Sequence, residues 1–133
     1  MKRKVTAIVE KASDGYYACY VDNELDGYGI AGYGETAEQA MSDMQTAYRE
    51  ISEIRESEGQ PAEELEFVYK YDMVSFFNYF SFLNISKVGE IAGINSSLLR
   101  QYATGKSKPG KKQFDKLRAA VKQISREMAV AVF

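Results

Sequence analysis

The chain of 133 residues carries a formal net charge of −2, with 45% hydrophobic and 27% charged residues. These are ordinary globular values, and a chain of this length buries one good core or two small ones rather than staying disordered. There is no histidine and a single cysteine, which removes the commonest general base, a principal transition-metal ligand and any internal disulfide.

Other absences narrow the reading. No run of about 18 apolar residues occurs, and the start MKRKVTAIVEK lacks the apolar stretch of a secretory signal. The expected setting is the cytoplasm, with no membrane partner, no cofactor and no metal site. Neither phosphate-cradling pattern, G-x-x-x-x-G-K-[ST] or G-x-G-x-x-G, is present, and GYGIAGYGE (27–35) reads as turns and an edge strand. Charge is divided unequally. Residues 1–70 hold 7 basic and 15 acidic residues, a net −8, whereas residues 71–133 hold 10 basic and 4 acidic, a net +6. Such asymmetry predicts two units with different partners.

In the acidic half, KVTAIVEK (4–11) and YYACYV (16–21) are rich in β-formers and flank the turn residues Asp14-Gly15, which predicts a hairpin. Cys19 falls in the second strand, as a buried free thiol. A third, shorter strand is expected within 28–33. Thr36 and Gln39 stand as a capping box, and Ala40, Met41, Met44, Ala47, Tyr48, Ile51 and Ile54 follow at three- and four-residue spacing. That predicts a helix of about five turns, with Asp43, Glu50, Glu53 and Glu56 on its polar side. SEGQPAEE (57–64) ends it, and LEFVYKY (65–71) is a fourth strand. The acids Asp14, Asp22, Asp26 and Glu35 all fall at turns or loop tips, where solvation accounts for them better than catalysis does.

Asp14-Gly15-Tyr16-Tyr17, followed by Gly34-Glu35-Thr36-Ala37-Glu38-Gln39-Ala40, is similar to the HicB antitoxin N-terminal domain, which joins a GGY hairpin to a G-[DE]-T-x-x-E-A helix start. The resemblance covers about half the chain and implies a β-β-β-α-β domain like a reduced RNase H fold without its catalytic acids. It also implies a HicA-like ribonuclease toxin as partner. The family's PDLPGC-like segment is replaced by Asp22-Asn23-Glu24-Leu25-Asp26-Gly27-Tyr28. The toxin-facing residues expected here are Asp22, Glu24, Asp26, Asp43, Glu50 and Glu53.

From Asp72 the pattern turns helical, starting with the aromatic MVSFFNYFSFL (73–83). Val88, Ile91 and Ala92 predict a short helix closed by Gly93. Asn95 or Ser96 caps the next, whose apolar side is Leu98, Leu99 and Tyr102. Two short helices around a glycine turn make a helix-turn-helix. V-x-x-x-A-G-I-N-x-x-x-L-x-x-Y resembles the LacI and phage-repressor type, over roughly residues 73–125. Where that type usually has alanine four before the turn glycine, this chain has Gly89, which should weaken the helix by up to about 1 kcal/mol.

NSSLLRQYATGKSKPGKK (95–112) contains four lysines, one arginine and no acid. The resemblance puts Asn95, Ser96, Ser97, Arg100 and Gln101 at or beside base-reading positions. Lys106, Lys108, Lys111 and Lys112 follow where a duplex backbone would run. The last helix, expected from near Gln113, carries Phe114, Leu117, Val121, Ile124 and Met128 at 3, 4, 3 and 4 spacing. Val121, Ile124 and Met128 are the candidate dimer contact.

The sequence therefore predicts an α+β chain: a HicB-like domain over 1–71 and a helix-turn-helix domain over 72–133. The function it implies is a DNA-binding autorepressor, dimeric or higher, that masks a ribonuclease toxin. The alternatives are a stand-alone regulator whose first domain oligomerises or senses a ligand, and a family member without a toxin. An enzyme is disfavoured because no nucleophile–base arrangement is present.

Overall fold

The computed structural model describes residues 2–61 and 63–133. Among these residues it is an α+β fold with a four-stranded mixed sheet and five helices. Alternation starts it. In strand β1 (Arg3–Lys11), Val5, Ala7 and Val9 are buried while Lys4 and Glu10 face out, the period-2 pattern of a sheet covered on one side. Strand β2 (Tyr17–Val21) pairs antiparallel with β1, and strand β3 (Ala31–Gly34) pairs antiparallel with β2. Strand β4 (Leu65–Tyr71) lies parallel to β1, giving the order β3-β2-β1-β4.

A parallel neighbour needs a crossover, and helix α1 (Ala37–Ser57) supplies it. Thr36 caps it, accepting from the Gln39 N–H at 3.1 Å, while Gln39 Oε1 accepts from the Glu35 N–H at 2.9 Å. The reciprocal bond thus reaches one residue further back than a capping box places it. Ala37, Ala40, Met41 and Met44 bury against Val5, Val9, Tyr17 and Cys19. Met44 is fully enclosed, so truncating it to alanine costs about 2–5 kcal/mol. Tyr48 ties the crossover to β4. Its hydroxyl donates to the Glu63 carbonyl at 2.8 Å and accepts from the Leu65 N–H at 3.0 Å.

Two compact units divide between Tyr79 and Phe80, not after residue 71. Helix α2 (Met73–Tyr79) therefore belongs with the sheet, and it stops at Tyr79 rather than running to 83. Asp72 anchors it, accepting from the Ser75 N–H through Oδ1 at 2.7 Å and from the Lys11 N–H through Oδ2 at 3.1 Å. Met73 and Phe77 are buried, and Asn78 Oδ1 accepts from the Ala37 N–H at 2.8 Å.

The second unit contains helices α3 (Ile85–Ala92), α4 (Ser96–Thr104) and α5 (Lys111–Ala129). Val88, Ile94, Leu99, Tyr102, Leu117 and Ala120 are its buried apolar residues. Helix α5 begins two residues before Gln113, because Gly110 takes the N-cap position. Among the described residues no helix is long and apolar enough to cross a membrane.

Candidate nucleic-acid interface

Asn84 starts α3 by accepting from the Lys87 N–H at 3.1 Å, and Gly93 ends it at φ 71°. That left-handed conformation is open to glycine at little cost, so the chain turns at once into α4. The cap of α4 is Asn95, not Ser96: its Oδ1 accepts from the N–H groups of Ser97 at 2.9 Å and Leu98 at 3.4 Å. Leu99 and Tyr102 turn inward. Ser97, Arg100, Gln101 and Thr104 are all exposed, and their i, i+3, i+4, i+7 spacing makes one continuous helical stripe. Ser96 is half-buried at its margin, and Asn95, though exposed, is occupied as the cap.

Side-chain contacts hold this stripe in place. Arg100 Nη2 donates to Ser86 Oγ at 2.6 Å, bridging α4 to the first turn of α3. Gln101 Oε1 accepts from Ser107 Oγ at 2.8 Å, which fixes the amide beside the loop. Thr104 Oγ1 donates to the Arg100 carbonyl at 3.0 Å. Ser86 and Thr104 were not among the residues expected at the site. Thr104 was findable by continuing the helical spacing from Ser97; nothing local marks Ser86.

The lysines are not equivalent. Lys106, Lys108 and Lys112 are exposed, and among the described residues they have no acidic partner within ion-pair distance. Lys111 Nζ lies 2.9 Å from Asp115 Oδ2, and Arg118 Nη1 lies 2.7 Å from the other oxygen. Hydrogen bonds from Lys111 and then Arg118 hold the Asp115 carboxyl below its ordinary range. A stretch without acids in sequence thus gains one in space, and Lys111 is partly neutralised. Helix α5 has no side-chain cap hydrogen bond at Gly110, so its first N–H groups add positive potential beside Lys112. Lys116 Nζ donates to the Gly93 carbonyl at 3.4 Å, linking α5 to the turn.

The acidic residues expected to face a toxin do not form one cluster. Asp26 lies 3.7 Å from Arg55 near the end of α1, and the Glu24 carbonyl accepts from Arg3 at 3.1 Å. Asp22 and Glu24 are exposed on that loop. Asp43 sits near the other end of α1, where its Oδ2 accepts from the Tyr33 N–H at 2.9 Å. Ten residues of helix, about 15 Å, separate Asp43 from Glu53. Glu50 and Glu53 are exposed on the same helix.

Burial fades along the α5 seam. Leu117 is buried, Val121 and Ile124 are half-buried, and Met128 is 61% exposed, followed by exposed Val130, Val132 and Phe133. Among the described residues no group of three or more His, Cys, Asp or Glu is placed to hold a metal ion. Compared with protein-family models, curated proteins and solved structures, the chain matches none.

Proposed function

We propose that this chain is a HicB-like antitoxin: an operator-binding autorepressor that also masks a HicA-like ribonuclease toxin in the cytoplasm. In this reading α3, the Gly93 turn and α4 are a helix-turn-helix, and α4 is the helix that enters the major groove. One observation carries it. The exposed Ser97-Arg100-Gln101-Thr104 stripe is followed in the chain by the exposed cations Lys106, Lys108 and Lys112, which have no acidic partner among the described residues. Gln101 is long enough for paired hydrogen bonds to adenine, and Ser97 can serve either member of a base pair. Arg100, steadied by Ser86, and the three lysines supply phosphate contacts that set register.

The charge division supports the second duty. Residues 1–79 hold 7 basic and 16 acidic residues, a net −9, and residues 80–133 hold 10 basic and 3 acidic, a net +7. A ribonuclease needs a cationic surface for RNA, so an acidic partner both attracts and occludes it. Among the six, Glu50, Glu53, Asp22 and Glu24 are exposed with no ion pair among the described residues, whereas Asp43 accepts from the Tyr33 N–H and Asp26 lies near Arg55. Self-association through Val121, Ile124 and Met128 sets two recognition helices on half-sites one helical turn, or a multiple, apart.

Titration of the purified protein against the DNA upstream of its own gene, by fluorescence anisotropy, tests the reading. A specific complex at least a thousandfold tighter than with random duplex, and steeply salt-dependent, is expected. Equal binding to both duplexes would overturn it.

A further inference from the structure

The two edges of the sheet are treated differently. β3 has four residues, and its outward Tyr33 N–H is capped by Asp43. β4 has seven, in unbroken register with β1 and without proline. The Arg3 N–H donates to the Glu64 carbonyl and the Asp72 N–H to the Val9 carbonyl. Residues 64, 66, 68, 70 and 72 therefore point their backbone groups at β1, and residues 65, 67, 69 and 71 point theirs off the edge. Tyr48 takes the Leu65 N–H. Among the described residues, nothing takes the outward N–H and C=O groups of Phe67 and Tyr69. An edge with unpaired backbone groups is a template for another strand.

We infer that the occupant is a second copy of β4, antiparallel about a two-fold axis at Val68, so that two sheets join into one of eight strands. The strand's own pattern argues for this partner. Centred on Val68, Phe67 of each copy meets Tyr69 of the other, and these are the residues whose backbone groups point outward, so four main-chain hydrogen bonds close. On the open sheet face, Glu66 of each copy meets Lys70 of the other, and Val68 meets Val68. All three side chains are exposed, Val68 at 46%, so none must leave the core to pair. Opposite charges in directly opposed positions stabilise a strand pair, and like charges oppose it. A slip of one residue breaks the hydrogen-bond parity. A slip of two sets Glu66 against Asp72 in one direction; in the other it trades the two Glu66–Lys70 pairs for pairs of Lys70 with Glu64, which lies outside the strand, and shortens the paired segment. The interface is isologous, as a closed dimer requires. It does not depend on DNA, on a toxin or on α5.

The test is a charge swap in the full chain, read by light scattering. By symmetry, Glu66→Lys or Lys70→Glu alone places two like-charge contacts in the interface. Each should weaken association by about tenfold or more and halve the mass at intermediate concentration. Glu66→Lys combined with Lys70→Glu restores both pairs and the mass. Lys4, the β1 neighbour of Glu66, faces a lysine in both Glu66→Lys and the double variant, so restoration separates association from folding. A second readout uses Val68→Cys. Opposed residues without mutual hydrogen bonds have Cα atoms about 4.5 Å apart, within disulfide reach, and the one native cysteine, Cys19, is buried. Oxidation should link two chains, poorly with either single charge reversal and fully again with the swap. Unchanged mass in the single variants, failure of the swap to restore it, or cross-linking indifferent to charge would overturn the pairing. Loss of another protein's binding at unchanged mass would give the edge to that protein and overturn it equally.

Discussion

A Cβ placed on Gly89 would lie 2.7 Å from the carbonyl oxygen of Ile94. The two residues are also joined through the main chain, the Ile94 N–H donating to the Gly89 carbonyl at 3.0 Å. The turn between α3 and α4 therefore passes directly over Gly89, and the missing side chain sets how closely α4 is held. Intrinsic propensity favours alanine over glycine in a helix by up to about 1 kcal/mol. The close approach reverses that preference. Gly89→Ala should destabilise the second unit by about 1–3 kcal/mol, seen as a lower urea midpoint with an unchanged slope. A raised midpoint would mean that the turn yields without strain.

Alanine at Lys106, Lys108 or Lys112 should each lower the slope of log affinity against log salt by about 1, leaving sequence preference intact. Lys111→Ala should change the slope less, because Asp115 already neutralises it at 2.9 Å. Equal slopes across all four variants would remove the distinction between free and paired cations.

Gln101→Ala should cost about 1–3 kcal/mol on the cognate operator and little on random duplex. Ser107→Ala, which frees the Gln101 amide from its 2.8 Å contact, should blunt discrimination at the same base pair without touching phosphate contacts. Equal losses on both duplexes for Gln101→Ala would end its base-reading role.

Much of this architecture was legible in the sequence. The alternation around Val5, Ala7 and Val9, the Asp14-Gly15 turn, the Thr36 cap and the Gly93 turn are local signals, and each appears where its chemistry places it. Helix α2 was not legible in the same way. Its run of aromatics has no single apolar face, and the charge boundary at residue 71 drew it toward the wrong unit. Burial of Met73 and Phe77, and the Asn78 bond to the Ala37 N–H, are long-range facts. The Arg100–Ser86, Gln101–Ser107 and Lys111–Asp115 contacts depend on rotamers rather than patterns. Which backbone groups leave the β4 edge follows only once its neighbour and register are known.

Burial raises the Cys19 thiol from 9.0 to about 11. The folded state thus holds this proton more tightly than the unfolded chain. The contribution of this thiol to stability should be constant below pH 9.0 and be lost as pH rises toward 11. Burial also raises Tyr69 and Tyr71, which extends the loss further into alkali. Urea midpoints at about pH 8 and about pH 10.5 should differ, and Cys19→Ala should narrow the difference. Identical midpoints would contradict the account, as would rapid alkylation of Cys19 in native protein near neutral pH.

Met128 is 61% exposed, so Met128→Glu should weaken self-association through α5 without unfolding the chain. Val121→Glu and Ile124→Glu, at half-buried positions, should add a fall in helical circular dichroism. Operator affinity should drop for all three, because in the proposed function it is the α5 contact that sets two α4 helices at half-site spacing. A Met128→Glu variant with unchanged mass and unchanged affinity would place the contact elsewhere.

The most direct test of the antitoxin reading is growth of cells expressing the product of the reading frame adjacent to this gene, with and without this chain. The wild-type chain should restore growth. Gln101→Ala should restore it equally while losing operator binding, and Glu50→Lys with Glu53→Lys should restore it more slowly while keeping the fold and DNA binding. If soluble wild-type chain fails to restore growth against a toxic neighbour, or if Gln101→Ala abolishes rescue, the division of duties proposed for the two units is contradicted.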